Sequence, residues 1–176
     1  MFVLEQRERA MARGARVYAE IVGFGNGHDA FNPVTPHPDG RGLQVALRAA
    51  LREAESNPSD IGYIAAHGSG TQLGDASEAR AIRAVFGSAA ERLAASSVKP
   101  ATGHLMGGGG ALNVAVGALA LHHQVAPPTL NLENLDPVCE LDWIPGRARA
   151  LPAEQVIAVA RGFEGQNIAL ALRAAN

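Results

Sequence analysis

Two histidines and a lysine are the residues whose types and spacing best suit chemistry. His67 lies in AHGSGT, a polar, glycine-jointed loop behind a nearly all-apolar run, and His104 lies in KPATGHLMGGGG, behind a run of small and β-branched residues. Loops at the C-terminal ends of strands are where α/β proteins build their sites. Two imidazoles at equivalent ends of successive strands would converge on one point, able to donate hydrogen bonds or to move a proton. Lys99, five residues before His104, would add a charge that orients the second imidazole. Either histidine alone reads more readily as a satisfied structural residue. The four glycines at 107–110 open an apolar helix beside His104. They fit an anion site at a helix N-terminus or a tight helix–strand junction.

No nucleophile accompanies the pair. Ser69 lacks the G-x-S-x-G frame, and hydroxyls in glycine-rich loops mostly bind backbone. Cys139 lies in an acidic, proline-containing loop without a basic neighbour, which predicts an inert buried thiol. Metal binding is not expected, because the histidines lack i, i+4 spacing and His122 and His123 point different ways on a helix. Asp75 and Glu78 read as a helix N-cap and its capping-box partner. Asn113, the one polar side chain inside the apolar helix, must find hydrogen-bond partners, which the polar groups near His104 would supply.

The surrounding elements follow from periodicity. Residues 5–13 form a short charged helix or turn, and 16–23 have strand character. Gly23-x-Gly25 opens a loop in which Pro33, Pro36 and Pro38 forbid the helix that a dinucleotide motif requires. Residues 42–55 place Leu43, Ala46, Leu47, Ala50, Leu51 and Ala54 on one helical face. A buried strand spans 61–66, a helix starts at 74–78 and ends at Gly87, and another strand spans 93–98. The helix after His104 is apolar all round and so belongs inside a globule. Short strands are predicted around 129–132, and 156–174 form a hairpin joined at 162–167. The opening residues, Met1 to Glu5, read as the end of a buried strand, as if the sequence began in mid-fold.

At 176 residues the chain reads as one α/β domain, 1–176, with a mixed sheet. A net charge of -2 gives no reason to expect nucleic acid or an anionic membrane as partner. The apolar run after His104 is about as long as a membrane span. Its glycines, Asn113 and the terminal His122-His123 favour a core helix. With one cysteine and no secretory leader in view, a soluble cytoplasmic protein is expected.

Three blocks in order, AHGSGTQLGDASEARAIRAVFG, SSVKPATGHLMGGGGA and GFEGQN, resemble the β-ketoacyl-acyl carrier protein synthases of fatty acid and polyketide synthesis. The resemblance implies the thiolase fold, two similar halves in α-β-α-β-α layers, of which this chain looks like the C-terminal half. In that family a cysteine of the N-terminal half takes the acyl chain as a thioester. Two histidines assist malonyl decarboxylation and stabilise the enolate for Claisen condensation. The resemblance gives those roles to His67 and His104 and makes Lys99 their support. It makes Phe163, beside Gly162, the gate of a substrate pocket that Thr71 and Thr102 also line. It implies no cofactor. The partners it implies are an N-terminal half or a second synthase subunit, and an acyl carrier protein bearing acyl and malonyl thioesters. It also implies that the glycines at 107–110 let two buried helices approach across a pseudo-twofold axis.

The chain departs from the family pattern at Asn113, where the family has glutamate, at Glu164, where it has glycine, and at Arg161, where a small polar residue is usual. Three readings follow. The chain is a C-terminal synthase half that is inactive alone, a non-catalytic partner resembling a chain-length factor, or a truncated fragment. Without its other half it should expose residues 1–4 and the hairpin strands, and so form an oligomer or depend on a partner for solubility.

Overall fold

The computed structural model describes residues 2–175. The charged segment forms α1 (Arg7–Ala12), and the chain then enters β1 (Ala19–His28). The expected strand at the very start does not form: Phe2, Val3 and Leu4 are exposed coil, and Met1 lies outside the described residues. β1 also runs further than its β-branched stretch predicts. It continues through Gly23, Gly25 and Gly27, which a two-residue period places on one face. The helix α2 (Arg41–Glu53) lies directly on that face. A Cβ on Gly25 would stand 1.9 Å from the carbonyl oxygen of Ala46, and one on Gly23 would stand 2.3 Å from that of Ala50. The glycine alternation is therefore a packing strip that lets a helix backbone rest on a strand.

From α2 the chain makes a short 3-10 turn and enters β2 (Ile61–Ala65), α3 (Gln72–Phe86) and β3 (Ala94–Ser96). The single turn α4 (Lys99–Thr102) follows, where Lys99-Pro100 predicts only a bend; proline is well accommodated at a first helical position. After α5 (Gly109–His123) come the short strands β4 (Val125–Ala126), β5 (Asp142–Trp143) and β6 (Arg149–Ala150). The strands expected at 129–132 reduce to one bridge, Thr129 with Pro145. The hairpin forms as expected from β7 (Gln155–Arg161) and β8 (Gln166–Ala174).

Six strands make one mixed sheet in the order β1-β8-β7-β2-β3-β5. The pairs β7–β2, β2–β3 and β3–β5 are parallel, while β8 runs antiparallel to both β7 and β1. Alternation divides the core between the two faces. Ile64, Ile157 and Val159 pack with Leu43 and Leu47 of α2 and Ile82 and Phe86 of α3. Tyr63, Val156 and Leu172 pack with Ala120 and Leu121 of α5.

Two burial expectations need correction. The hairpin strands are largely buried, because helices cover both faces of the sheet there and β1 pairs with the outer edge of β8. In contrast, α5 is covered on one side only. Asn113, Gly117, Ala120 and Leu121 face the sheet, whereas Leu119 is 45% exposed. A single sheet can cover only one face of a helix that is apolar all round.

Candidate active site

His67 follows the buried end of β2, and the turn that carries it is held by Glu78. The Glu78 carboxylate accepts the N–H of His67 at 2.8 Å and that of Gly68 at 2.8 Å. This corrects the capping-box reading. α3 begins a turn earlier than its sequence predicts, with Thr71 at the N-cap, so Asp75 and Glu78 lie inside the helix. Asp75 accepts the N–H of Gly70 at 3.2 Å, and Glu78 is 1% exposed. Glu78 stands four residues before Ile82 and seven before Val85, on the apolar stripe of α3. A carboxylate there is buried, and that was the available signal of its importance.

The His67 and His104 loops are joined directly. The Ser97 hydroxyl donates to the Gly68 carbonyl at 2.9 Å. Gly68 has φ +41°, and a Cβ on it would stand 2.6 Å from that of Ser97. Lys99 Nζ donates to the carbonyl of His67. The lysine thus supports the first histidine's loop, not the second imidazole as its spacing suggested. Burial lowers its pKa, an effect opposed by Glu78 and Asp75. Burial raises the pKa of Glu78, against the pull of Arg161 and the two N–H groups it accepts.

The two imidazoles meet, with ring centroids 5.4 Å apart and planes at 72°. Each has one nitrogen engaged by a backbone donor. His67 Nδ1 accepts the N–H of Arg161 at 3.2 Å, and His104 Nδ1 accepts that of Met106 at 2.9 Å. A nitrogen that accepts from N–H carries no proton, so a neutral ring bears its hydrogen on Nε2. His67 is held neutral: burial first, then the charge of Lys99 and the neighbouring His104 and Arg161, push its pKa down to about 3.

A cavity of about 560 Å³ is lined by His67, His104, Thr71, Gly162 and Phe163, among others. Phe163 is 69% exposed, in the turn Phe163–Gly165 between β7 and β8. Glu164 in that turn has φ +66°, and its N–H donates to the Pro33 carbonyl at 2.8 Å. Three of the expected site residues stand outside the cavity lining. Thr102 bonds within its own turn, to the carbonyls of Val98 and Gly103. Lys99 reaches the His67 backbone. Asn113 donates to the carbonyls of Ala66 at 2.9 Å and Val159 at 2.8 Å, binding α5 to the ends of β2 and β7 instead of to the groups near His104. Cys139 is buried beside α3, and burial raises its pKa, as an inert thiol requires. Of the glycines at 107–110, only Gly110 is crowded by a neighbour, Ala160, while Gly107 and Gly109 face open space.

A model of the β-ketoacyl synthase C-terminal domain matches residues 18–133. The chain belongs to the β-ketoacyl synthase family. It is 42% identical to a 3-oxoacyl-[acyl-carrier-protein] synthase 2 of Synechocystis, over 98% of this chain and 42% of that protein. A type II polyketide ketosynthase, solved with its acyl-carrier protein and bound to the hexaketide, matches with a TM-score of 0.94 at 32% identity. That match covers 98% of this chain and 42% of the other. The ishigamide ketosynthase/chain length factor matches with a TM-score of 0.92 at 37% identity, over 98% of this chain and 42% of that one. The fold is thus the thiolase-like fold of the ketosynthases. The chain spans about two fifths of the length of these synthases. Among the described residues, no helix is long and apolar enough to cross a membrane.

Proposed function

We propose that this ketosynthase domain supplies the histidine pair for decarboxylative condensation, with the cysteine nucleophile contributed by an N-terminal synthase half in the same or another polypeptide. The observation that carries the reading is the pair itself: two imidazoles 5.4 Å apart, each with Nδ1 engaged by a backbone N–H, in one cavity. The carbonyl oxygen of a malonyl thioester, delivered by an acyl carrier protein, accepts from the two Nε2–H groups. The bond to the carboxylate breaks, carbon dioxide leaves, and its electron pair forms an enolate whose oxygen the same two donors stabilise. The enolate carbon then attacks the acyl thioester on the cysteine, forming the new carbon–carbon bond and releasing the thiolate. A neutral His67 suits this role, because it donates a hydrogen bond without giving up a proton at ordinary pH. The chemistry needs no cofactor.

By itself the chain should not condense, since Cys139 is buried outside the cavity. In a complex with a cysteine-bearing half, His67→Ala or His104→Ala should lower malonyl decarboxylation by about 10²-fold or more. Unchanged decarboxylation in both variants would overturn the reading. It would favour the rival one, a chain-length-factor-like partner, to which the non-glycine Glu164 at φ +66° in the gate turn gives some support.

A further inference from the structure

Along the wall of the cavity that holds the histidine pair lies a buried ionic cluster that the proposed chemistry does not use. The Arg161 side chain is 7% exposed and that of Asp29 is 1% exposed, with Arg161 Nη2 and Asp29 Oδ2 separated by 3.6 Å. The guanidinium is engaged on every side. Its Nε donates to Asn167 Oδ1 at 2.9 Å, Nη1 to the Gly74 carbonyl at 3.1 Å and Nη2 to Ser77 Oγ at 3.0 Å. Asp29 accepts the N–H of Gly42 and of His37, each at 3.0 Å, and Asn167 Nδ2 at 3.1 Å. The Asp29 N–H in turn donates to the Gly165 carbonyl at 2.8 Å. One side chain thus ties the end of β7 to α3, to the start of β8 and, through Asp29, to the end of β1 and the gate turn. That end of β7 also carries the N–H that engages His67 Nδ1.

We infer that Arg161 is a positioning residue: its planar guanidinium fixes the strand end whose N–H selects the His67 tautomer and anchors the gate turn beside it. Its geometric hold on His67 runs through backbone, beside the direct effect of its charge on the imidazole, and the inference rests on the reading of His67 as a donor to substrate. The fork geometry matters as much as the charge, because three different acceptors are met in one plane.

The test compares the parent chain with Arg161→Met and with the double variant Arg161→Met/Asp29→Asn. The double variant removes both charges, so it carries the test if the single one fails to fold by leaving Asp29 unpaired. Nitrogen-15 NMR of His67 at neutral pH should show one neutral tautomer, with Nδ1 as acceptor, in the parent and a mixture of tautomers in the double variant. Paired with a cysteine-bearing half, the double variant should decarboxylate malonyl thioester at least about tenfold more slowly in kcat, with KM changed less than about twofold. A folded double variant with the parent tautomer and the parent kcat would overturn the proposal. The NMR readout needs no substrate. It therefore still decides the positioning role if His67→Ala leaves decarboxylation intact, a result that would sink only the catalytic reading.

Discussion

Glu78 and Lys99 grip His67 from opposite ends of its backbone: the carboxylate accepts the His67 N–H, and the ammonium donates to the His67 carbonyl. Both hydrogen bonds go to the backbone of His67 and neither to its imidazole. Opposite charges on the two sides of one residue fix its position while leaving its ring free to face the cavity.

Glu78→Ala should leave two half-buried N–H groups, those of His67 and Gly68, without their acceptor. The expected cost is about 1–3 kcal/mol for each group that water cannot reach. A denaturant midpoint unchanged from the parent would contradict this role. In the complex with a cysteine-bearing half, the same variant should lower decarboxylation even where it remains folded.

The pH dependence has a definite sign. His67 falls from 6.5 to about 3 on folding, so between those values the unfolded chain binds more protons than the folded one. Its contribution to stability is fully present above 6.5 and is lost as pH falls toward 3. Glu78 acts oppositely: its pKa is raised by burial, so its protonated form favours the fold and stability drops as pH climbs from its ordinary 4.5 through the raised value. Urea unfolding of the parent and of His67→Gln from pH 3 to pH 7 isolates the first effect. The variant should show the shallower loss toward acid.

Gly25→Ala should be among the costliest single-methyl additions in the chain. The added Cβ would meet the Ala46 carbonyl oxygen at 1.9 Å, and helix backbone cannot swing aside as a side chain can. About 1–3 kcal/mol or more is expected, read as a lower thermal midpoint. Gly14→Ala makes a useful contrast, because a Cβ there meets nothing within 4 Å and only its φ of +69° opposes the change.

Glu164→Gly should stabilise the Phe163–Gly165 turn by up to about 1 kcal/mol, since a side chain at φ +66° is strained and glycine is not. The greater freedom of glycine in the unfolded chain offsets part of that gain. Glu164→Val, β-branched at the same φ, should lower the thermal midpoint. Equal midpoints for the two variants would contradict the strain.

Much of this architecture is written in local pattern. The apolar stripe of α2, the nearly all-apolar β2 and the hairpin at the end each follow from periodicity alone, and the histidines announced themselves by sitting beside glycine at strand ends. What periodicity could not show was direction. Lys99 is closer in sequence to His104 than to His67, yet a single helical turn gives it to His67. Glu78 resembled a cap because it follows Asp75 by three, and only the earlier start of α3 shows it to be interior. Asn113 demanded partners, but its two carbonyls, at Ala66 and Val159, come from strands far apart in sequence. The glycines of β1 looked like loop because the helix they accommodate lies elsewhere in the chain.

The bond from Arg161 to His67 joins residues 94 positions apart, and the ribosome makes them in order. At about 5–20 residues per second, both histidines emerge several seconds before β7 does. During that interval the nascent chain carries the two rings with nothing to choose the tautomer of the first. The tautomer of His67 is set late, by a strand made well after the ring that it orders.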